Sequence, residues 1–266
     1  MRVYGLIGYP LEYTLSPRIH GYVFSRLNID AAYVPFRVSP KRLMHFIEFS
    51  RDSLDGFNVT TPHKVSVASL VDELSGESSL INSVNTVVNN SGRLIGYNTD
   101  YLAIKDALAE RGVKEDEAIV VGAGGVARAV VLALVKLGFR KVAVLNRSVE
   151  RARELCSISS RLGLECVAEG LTQISVKAPL LVNTTPMGVK EEFPIRLNEL
   201  GVSIVLDLAY KPAGETDLIA KARAMGIEAI DGLEILVRQA LEADKIWLGD
   251  LGGISYKDVL NHLRGG

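Results

Sequence analysis

The stretch Ala118-Ile-Val-Val-Gly-Ala-Gly-Gly-Val-Ala-Arg-Ala129 decides the fold of this chain. Its residues 119–121 form a short β-branched run typical of a strand buried on both faces, and an apolar helical pattern follows. Gly122, Gly124 and Ala127 match the Gly-x-Gly-x-x-Gly/Ala fingerprint of a dinucleotide site. In that fingerprint the first glycine permits a tight turn and the second lets the backbone approach a pyrophosphate, while the small third residue lets helix pack on strand.

The helix that opens after this turn predicts a binding place for phosphates. A helix N-terminus presents N–H groups and a partial positive charge, and together these attract anions. The alternative is a plain glycine turn between two packed elements, but the strand before it and the helix after it favour the dinucleotide site. The residues expected to contact the cofactor here are Gly122, Ala123, Gly124, Gly125, Val126 and Ala127.

The next predicted strand, 141–145, indicates which dinucleotide is bound. It ends in Asn146-Arg147-Ser148, close to where an NAD site usually places an acid for the ribose 2′-hydroxyl, and no acid stands there. Ser148 is a suitable N-cap, which puts Arg151 in the first helical turn, where the helix dipole favours anions. A bound 2′-phosphate would relieve that conflict, so the pattern favours NADP. The alternative is a pair of ordinary solvated arginines.

Further strands are predicted over 164–168, 180–183, 204–208 and 227–230, which makes this half an α/β unit. Ligands of open α/β sheets lie beyond the carboxyl ends of the strands. The residues that fall on this rim are Thr184, Met187, Asp207, Tyr210 and Asp231, although any one of them could serve the loop alone.

The N-terminal half also alternates strands and helices, which predicts a mostly parallel sheet. After the strand 3–8, Ser16 is a natural N-cap with Pro17 at the first helical position. The same turn offers the hydroxyls of Thr14 and Ser16 and free N–H groups to a carboxylate. Spacing alone favours capping without a ligand.

A lysine in an unfavourable place marks the next strand end, in Asn58-Val-Thr-Thr-Pro-His-Lys64. Thr61 is a suitable N-cap and Pro62 a suitable first helical residue, which puts Lys64 at the positive end of the helix dipole. Local rules are broken most often at functional sites, so Lys64 is a candidate for proton transfer. The alternative is an extended lysine that reaches water.

Asp100 follows the second strand of a predicted hairpin and precedes a helix that starts at Tyr101. It is either an N-cap carboxylate or a catalytic group at a strand end, and spacing does not choose between them. The domain boundary is predicted near 99–101.

The bulk properties point to a small-molecule partner. The 266 residues allow two moderate domains, and 48% hydrophobic with 23% charged residues is typical of a soluble globular chain. A net charge of −1 gives no case for a nucleic-acid or membrane partner. Because no apolar run suits a signal peptide or a membrane span, a cytoplasmic location is expected.

The cysteine pattern predicts neither a disulfide nor a metal site. Cys156 and Cys166 stand without histidine or cysteine partners at ligand spacing, so idle or buried thiols are expected.

Taken in order, several motifs resemble those of the shikimate dehydrogenase family over essentially the whole chain. They are Thr14-Leu-Ser-Pro17, Asn58-Val-Thr-Thr-Pro-His-Lys64, Val84-Asn-Thr-Val87, Gly96-Tyr-Asn-Thr-Asp100, Gly122-Ala-Gly-Gly125, Asn146-Arg-Ser148, Asn183-Thr-Thr-Pro-Met-Gly188, Asp207-Leu-Ala-Tyr-Lys-Pro212 and Gly232-Leu233 through Gln239.

The resemblance implies an NADP-dependent enzyme that reduces 3-dehydroshikimate, with its site in a cleft between two α/β domains. Residues 1–100 would form the substrate domain, on which the helices in 236–266 pack back, and 101–235 the NADP domain of Rossmann type. The catalytic pair would be Lys64 and Asp100, either of which could transfer the proton. The implied substrate contacts are Thr14, Ser16, Thr60, Lys64, Asn85, Asp100, Tyr210 and Gln239, and the implied cofactor contacts add Asn146, Arg147, Ser148, Arg151, Thr184, Thr185, Met187, Leu208 and Gly232.

Four positions depart from the family pattern, namely Thr14, Gly21, Ala103 and Ile235, and none is a proposed catalytic group. Thr14 stands where the family usually has serine, which leaves room for a quinate/shikimate dehydrogenase of broader specificity. A non-catalytic NADP- or shikimate-binding regulator would not need both Lys64 and Asp100. A methylene-tetrahydrofolate dehydrogenase would leave the Thr14 and Ser16 turn unexplained. A homodimer is left open.

Overall fold

The structure is a computed structural model that describes residues 1–114, 116–172 and 174–265. The chain forms two compact units. The first consists of Met1–Leu102 and the chain from Leu236 onward, and the second is Ala103–Ile235. Two helices, α5 (Asp100–Glu110) and α9 (Gly232–Leu248), therefore each contribute residues to both units.

The first unit is built on a mixed sheet. Its strands are β1 (Arg2–Gly8), β2 (Ala31–Arg37), β3 (Gly56–Val59), β4 (Glu73–Leu74), β5 (Thr86–Asn90) and β6 (Arg93–Tyr97). They lie in the order β2-β1-β3-β5-β6-β4. β1 is parallel to β2 and to β3, and β4 is parallel to β6, whereas β5 is antiparallel to β3 and β6. The central strands β1 and β3 carry the loops that lead to the predicted site residues.

Helices cover this sheet with their apolar faces. They are α1 (Ser16–Arg26), α2 (Leu43–Ser53), α3 (Lys64–Ala68), α4 (Gly76–Ile81), α10 (Tyr256–Arg264) and the later part of α9. Ile7, Phe57 and Val87 lie in the fully buried core between sheet and helices. The C-terminal segment joins the unit through the Trp247 indole, which donates to the Val87 carbonyl at 3.0 Å.

The second unit holds an all-parallel sheet. Its strands are β7 (Glu117–Val121), β8 (Lys141–Leu145), β9 (Glu165–Glu169), β10 (Leu180–Asn183), β11 (Ile204–Asp207) and β12 (Glu228–Ile230), in the order β12-β11-β10-β7-β8-β9. The chain leaves β7 for β8 on one side and later returns to β10 on the other. The strand order therefore reverses at β7, which is where open α/β sheets bind ligands.

Three helices of this unit connect its strands: α6 (Gly125–Leu137), α7 (Val149–Arg161) and α8 (Asp217–Ala224). Nearly continuous apolar strands such as Ile119–Val121 are buried between helices on both faces, as parallel sheets require. The predicted fold class is confirmed, because both units are layered α/β structures and the second has the parallel sheet.

The prediction of two idle thiols is wrong. Cys156 on α7 and Cys166 on β9 form a disulfide, with their Cα atoms 5.1 Å apart. The tight α7-β9 connection folds the helix back beside the next strand, which places the two residues within bonding distance. Sequence spacing does not reveal this proximity.

Two predicted helix starts are also wrong. α1 begins at Ser16 with Leu15 as its N-cap, so the Ser16 side chain lies inside the helix. α3 begins at Lys64 with His63 as its N-cap, and Thr61 and Pro62 lie in the turn before it. Lys64 is therefore the first residue of a short helix. By contrast, Ser148 caps α7 as predicted, since its hydroxyl accepts from the backbone N–H of Arg151.

Within the described residues, no helix has both the length and the apolar character needed to cross a membrane. The same residues contain no group of three or more His, Cys, Asp or Glu side chains that could hold a metal ion.

Candidate active site

The first unit brings the two predicted catalytic residues into direct contact. Lys64 opens α3 and Asp100 opens α5, and the Lys64 Nζ donates to Asp100 Oδ2 at 2.5 Å. Their side chains are only 14% and 8% exposed. A lysine retains three N–H donors, so the bond to Asp100 leaves two others for a further oxygen atom. The pair therefore offers a proton donor beside a carboxylate acceptor in a largely dry place.

Asn85 joins this pair to a third predicted residue. Its Nδ2 lies 2.9 Å from Asp100 Oδ1 and 3.2 Å from Gln239 Oε1, and 2.9 Å from the Thr99 hydroxyl. Its Oδ1 accepts from the Thr99 backbone N–H at 2.7 Å, which fixes the amide orientation. Lys64, Asp100, Asn85 and Gln239 are thus one connected cluster, although they come from four separate parts of the chain.

A second polar layer beneath this cluster includes residues that the sequence analysis missed. The Asn58 Nδ2 donates to the Thr86 hydroxyl at 3.0 Å and to the Asn85 carbonyl at 3.2 Å. The Tyr33 hydroxyl donates to Asn58 Oδ1 at 2.7 Å. Asn58 lies in a family motif and stands at a strand end, and that position was the available signal. The isolated Tyr33 in β2 carried none.

The predicted carboxylate-binding turn precedes α1. The Thr14 hydroxyl oxygen accepts from the Ser16 backbone N–H at 3.1 Å, so this N–H is already satisfied within the turn. Ser16 is buried and Thr14 is half-buried. Thr60 follows β3 and its backbone N–H bonds to the Ile7 carbonyl at 2.9 Å. The hydroxyls, more than the N–H of Ser16, are therefore the groups that this turn offers.

The second unit places the glycine turn at the reversal of strand order. Gly122 has a φ of +104°, and a Cβ there would lie 2.3 Å from the Thr184 hydroxyl oxygen. Both facts require glycine. Thr184 is held in place by its own hydroxyl, which donates to the Val121 carbonyl at 2.8 Å. Gly124 is the N-cap of α6, and Ala127 is fully buried against the sheet. Ala123, Gly125 and Val126 are half-buried residues of the same turn and first helical turn.

The predicted 2′-phosphate site lies at the next strand end of the same unit. The Asn146 amide donates to the Ser148 carbonyl at 2.9 Å, which closes the turn between β8 and α7. Arg147 and Arg151 are both exposed on this turn. Two solvated guanidinium groups at a helix N-terminus can bind a phosphate in a bidentate manner.

Asn183 and Asp207 organise a third loop of this unit that is predicted to contact the cofactor. The Asn183 Nδ2 donates to Asp207 Oδ1 at 2.9 Å and to the Thr185 and Met187 carbonyls at 3.2 Å each. Its Oδ1 accepts from the Thr185 hydroxyl at 2.7 Å. The loop from Thr184 to Met187 is therefore shaped around one buried amide.

The remaining predicted cofactor residues follow β11 and begin α9. The Leu208 backbone N–H bonds to the Asn183 carbonyl at 2.9 Å, and Tyr210 is half-buried two residues later. A Cβ at Gly232 would lie 2.3 Å from the Ala209 carbonyl oxygen. Glycine is therefore required at the start of α9, because the chain passes against the loop after β11.

These features define a class. A parallel sheet with a glycine turn at its switch point, together with a separate unit that carries a lysine-carboxylate pair, is the equipment of a dinucleotide-dependent oxidoreductase.

The comparisons with known proteins narrow the class. Residues 6–87 match the model of the shikimate dehydrogenase substrate binding domain, and residues 105–176 match the shikimate / quinate 5-dehydrogenase model. The NADP(+)-dependent shikimate dehydrogenase of Caldivirga maquilingensis is 59% identical over 100% of this chain and 98% of its own length. The chain belongs to the shikimate dehydrogenase family, as the motifs predicted.

Solved structures agree with this placement. The shikimate 5-dehydrogenase of Thermus thermophilus, in complex with NADP(H) and shikimate, is 31% identical with a TM-score of 0.86, covering 100% of this chain and 99% of its own. The quinate dehydrogenase of Corynebacterium glutamicum, in complex with NAD, is 28% identical with a TM-score of 0.88, covering 100% and 99%.

Asp207 is a buried carboxyl group of the second unit, and its pKa lies well above the ordinary value for an aspartate. Its side chain is fully buried, and this burial raises the pKa of its carboxyl to about 6. Hydrogen bonds from Thr216, Ala209 and Asn183 oppose the shift, and the charge of Asp231 adds to it. Because the folded pKa lies above the unfolded one, the folded chain keeps a proton that the unfolded chain loses, and stability falls as pH rises from about 4 through about 6.

We expect Asp207→Asn to remove this loss. An asparagine can keep the bonds to Asn183 and Thr216 without a charge, so its stability should lack the fall that the carboxylate causes. The free energy of unfolding of the variant minus that of the wild type should grow by on the order of 3 kcal/mol between pH 4 and pH 7.5. Urea unfolding of both proteins at several pH values measures it. A difference that does not change with pH would contradict the assignment.

Proposed function

We propose that this chain catalyses the reversible, NADPH-dependent reduction of 3-dehydroshikimate to shikimate, the step of aromatic amino-acid biosynthesis that its relatives are named for. The observation that carries the proposal is the Lys64-Asp100 pair, tied through Asn85 to Gln239. A regulator that only binds ligands has no need of a buried proton donor held against a carboxylate.

The residues of the second unit fit the dinucleotide. A Cβ at Gly124, the N-cap of α6, would meet no atom within 4 Å, so the backbone at this helix N-terminus is open to a pyrophosphate. The loop around Asn183 and the start of α9 at Gly232 would hold the nicotinamide half, with Thr184, Thr185, Met187 and Leu208 as contacts. Asn146, Arg147, Ser148 and Arg151 would hold the adenosine 2′-phosphate. The bound cofactor supplies or takes the hydride at the carbon that bears the reacting oxygen.

The first unit would supply the proton and most of the contacts that bind the substrate. In reduction, the reacting carbonyl oxygen becomes an alkoxide, and Lys64 Nζ, with two donors beyond its bond to Asp100, would give it a proton. Asp100 would accept from the hydroxyl so formed and hold Lys64 in position. Asn85, Thr60 and Gln239 would bind the other hydroxyls. Thr14 and Ser16 would donate their hydroxyls to the carboxylate, and Tyr210 of the second unit would be a further contact.

Initial rates test the proposal most directly. Shikimate and quinate are each paired with NADP and with NAD, and the cofactor's absorbance is followed. Fast turnover confined to shikimate with NADP is the expected result. Equal use of quinate or NAD would make the chain a quinate/shikimate dehydrogenase, and no turnover by protein that binds NADP would leave only the regulator.

Lys64→Ala should lower kcat for shikimate oxidation by at least about a hundredfold, because general acid–base catalysis is lost. The KM for shikimate should change far less, since most of its contacts remain. Steady-state kinetics measure both constants, with Lys41→Ala, an exposed lysine outside the cluster, as the matched control. A large rise in KM at unchanged kcat would instead make Lys64 a binding residue.

The double substitution Arg147→Ala/Arg151→Ala should raise the KM for NADP by about tenfold or more, because two charge-assisted contacts to the 2′-phosphate are removed. The slow rate with NAD, which has no such phosphate, should stay the same. Arg153→Ala provides the control, since it removes an exposed arginine from the same helix. Parallel losses with NADP and NAD would refute a 2′-phosphate site.

We also propose that two chains associate as a homodimer through β2 and α2. β2 is an edge strand of its sheet, and Val34, Met44 and Phe49 are exposed large apolar residues on these two elements. Light scattering should give twice the 28.9 kDa of one chain. The mass of a single chain at micromolar concentration would exclude the dimer.

A further inference from the structure

A histidine and an aspartate outside the catalytic cluster are completely buried in the first unit. His20 on α1 and Asp244 on α9 are each 0% exposed, and the His20 Nδ1 lies 2.7 Å from Asp244 Oδ1. Their other polar atoms, His20 Nε2 and Asp244 Oδ2, have no hydrogen-bond partner among the described residues. A polar pair that only adds stability would be expected to have all its polar atoms hydrogen-bonded, and this pair does not.

Burying this pair costs free energy of folding. Burial raises the pKa of the Asp244 carboxyl, and the neighbouring His20 offsets only part of this effect. Buried pairs of this kind are often no more stabilising than apolar side chains of similar volume, so a gain in stability does not by itself account for the pair. The proton that forms the bond sits between two helices, so the bond fixes their relative position.

Both helices carry proposed substrate residues close to the pair. Ser16 lies four residues before His20, or about one helical turn along α1. Gln239 lies five residues before Asp244, or about one and a half turns along α9. The His20-Asp244 bond thus joins the two helices within one to one and a half turns of Ser16 and Gln239, two residues that would hold parts of one substrate.

A second contact, between two rings, connects His20 with the cluster that contains Asn85. The imidazole stacks on the Tyr33 ring with centroids 4.1 Å apart and planes 17° apart. The Tyr33 hydroxyl in turn donates to Asn58 Oδ1 at 2.7 Å. Asn58 supports Asn85 of the catalytic cluster.

We propose that the His20-Asp244 bond is a positioning element of the substrate site, which holds α1 and α9 at the spacing that lets Ser16 and Gln239 bind one shikimate molecule. The proposal rests on the function proposed above. It predicts that the bond determines the affinity for the substrate, while NADP binding, which is assigned to the second unit, does not depend on it.

The decisive variant is His20→Leu/Asp244→Ala. It replaces the pair with apolar groups of about the same total volume, so no charge is left buried and the fold should keep its stability. The KM for shikimate should nevertheless rise by about tenfold, whereas the KM for NADP should stay within about twofold. The single variant Asp244→Asn keeps an oxygen that can accept from the His20 Nδ1. Its KM for shikimate should therefore stay within about twofold of the wild-type value.

A core variant and a measurement of stability distinguish the loss of a specific helix spacing from a general loss of packing in the first unit. Val23→Ala removes buried apolar volume one turn further along α1, and it should lower the melting temperature without changing either KM. Trp247 is the single tryptophan and its ring lies 5.4 Å from that of His20, so its emission during urea unfolding reports on this region in every variant.

The outcomes are distinct. A double variant with an unchanged KM for shikimate, or a Val23→Ala variant that raises it as much, overturns the positioning role. Should the double variant fail to fold, Asp244→Ser, whose side chain is too short to reach His20, carries the same expected rise. Wild-type protein that does not turn over shikimate at all would refute the proposed function instead, before any variant is compared.

Discussion

An ammonium and a carboxylate that are both nearly shut off from water stay charged and ordered only if the atoms around them satisfy their remaining bonds. Lys64 and Asp100 meet this condition through Asn85, which binds the carboxylate oxygen that Lys64 does not use. Asn85 is itself held by Thr99 and by the Asn58 layer beneath it. Asn85, Thr99 and Asn58 therefore form a sequence of supports for one ion pair, and they lie at or near the ends of strands.

The second unit depends on a different constraint, which is the close approach of its glycine backbone to neighbouring loops. Gly122 approaches the Thr184 hydroxyl and Gly232 approaches the Ala209 carbonyl, each within a distance that excludes a Cβ. Its buried polar pair, Asn183 and Asp207, holds the two loops that leave β10 and β11. Apolar strands provide the rigid base, and these two polar side chains shape the loops that follow it. One unit thus offers charged side chains, and the other offers a shaped backbone.

The sequence predicted those features that depend on local order. The strand-turn-helix around Gly122 and the Ser148 cap follow from residue type and spacing over a few positions, and the structure has both. The predicted starts of α1 and α3 were wrong, because Ser16 lies inside α1 and Thr61 lies in the turn before α3, so neither residue is an N-cap. Contact between Lys64 and Asp100 could be inferred only from the family resemblance, since 36 residues separate them.

Two further contacts, the His20-Asp244 bond and the Cys156-Cys166 disulfide, carried no sequence signal. His20 and Asp244 are 224 residues apart, and neither lies in a pattern that names the other as its partner. Cys156 and Cys166 are close in sequence, but their bond depends on how α7 returns beside β9, which spacing does not determine.

The position of α9 in the chain has a consequence for assembly. Gln239, Asp244 and Trp247 all belong to this one helix, and each bonds or packs onto the part of the first unit formed by Met1–Leu102. The whole second unit lies between these two parts in sequence. Asn85 therefore lacks its Gln239 partner and His20 lacks its Asp244 partner until α9 has been synthesised. A chain that stops before α9 would therefore lack the bond that joins Gln239 to Asn85 and, through it, to Asp100. α9 also contributes Val237, Ala240 and Ala243 to the buried core, so one helix completes both the core and the candidate site.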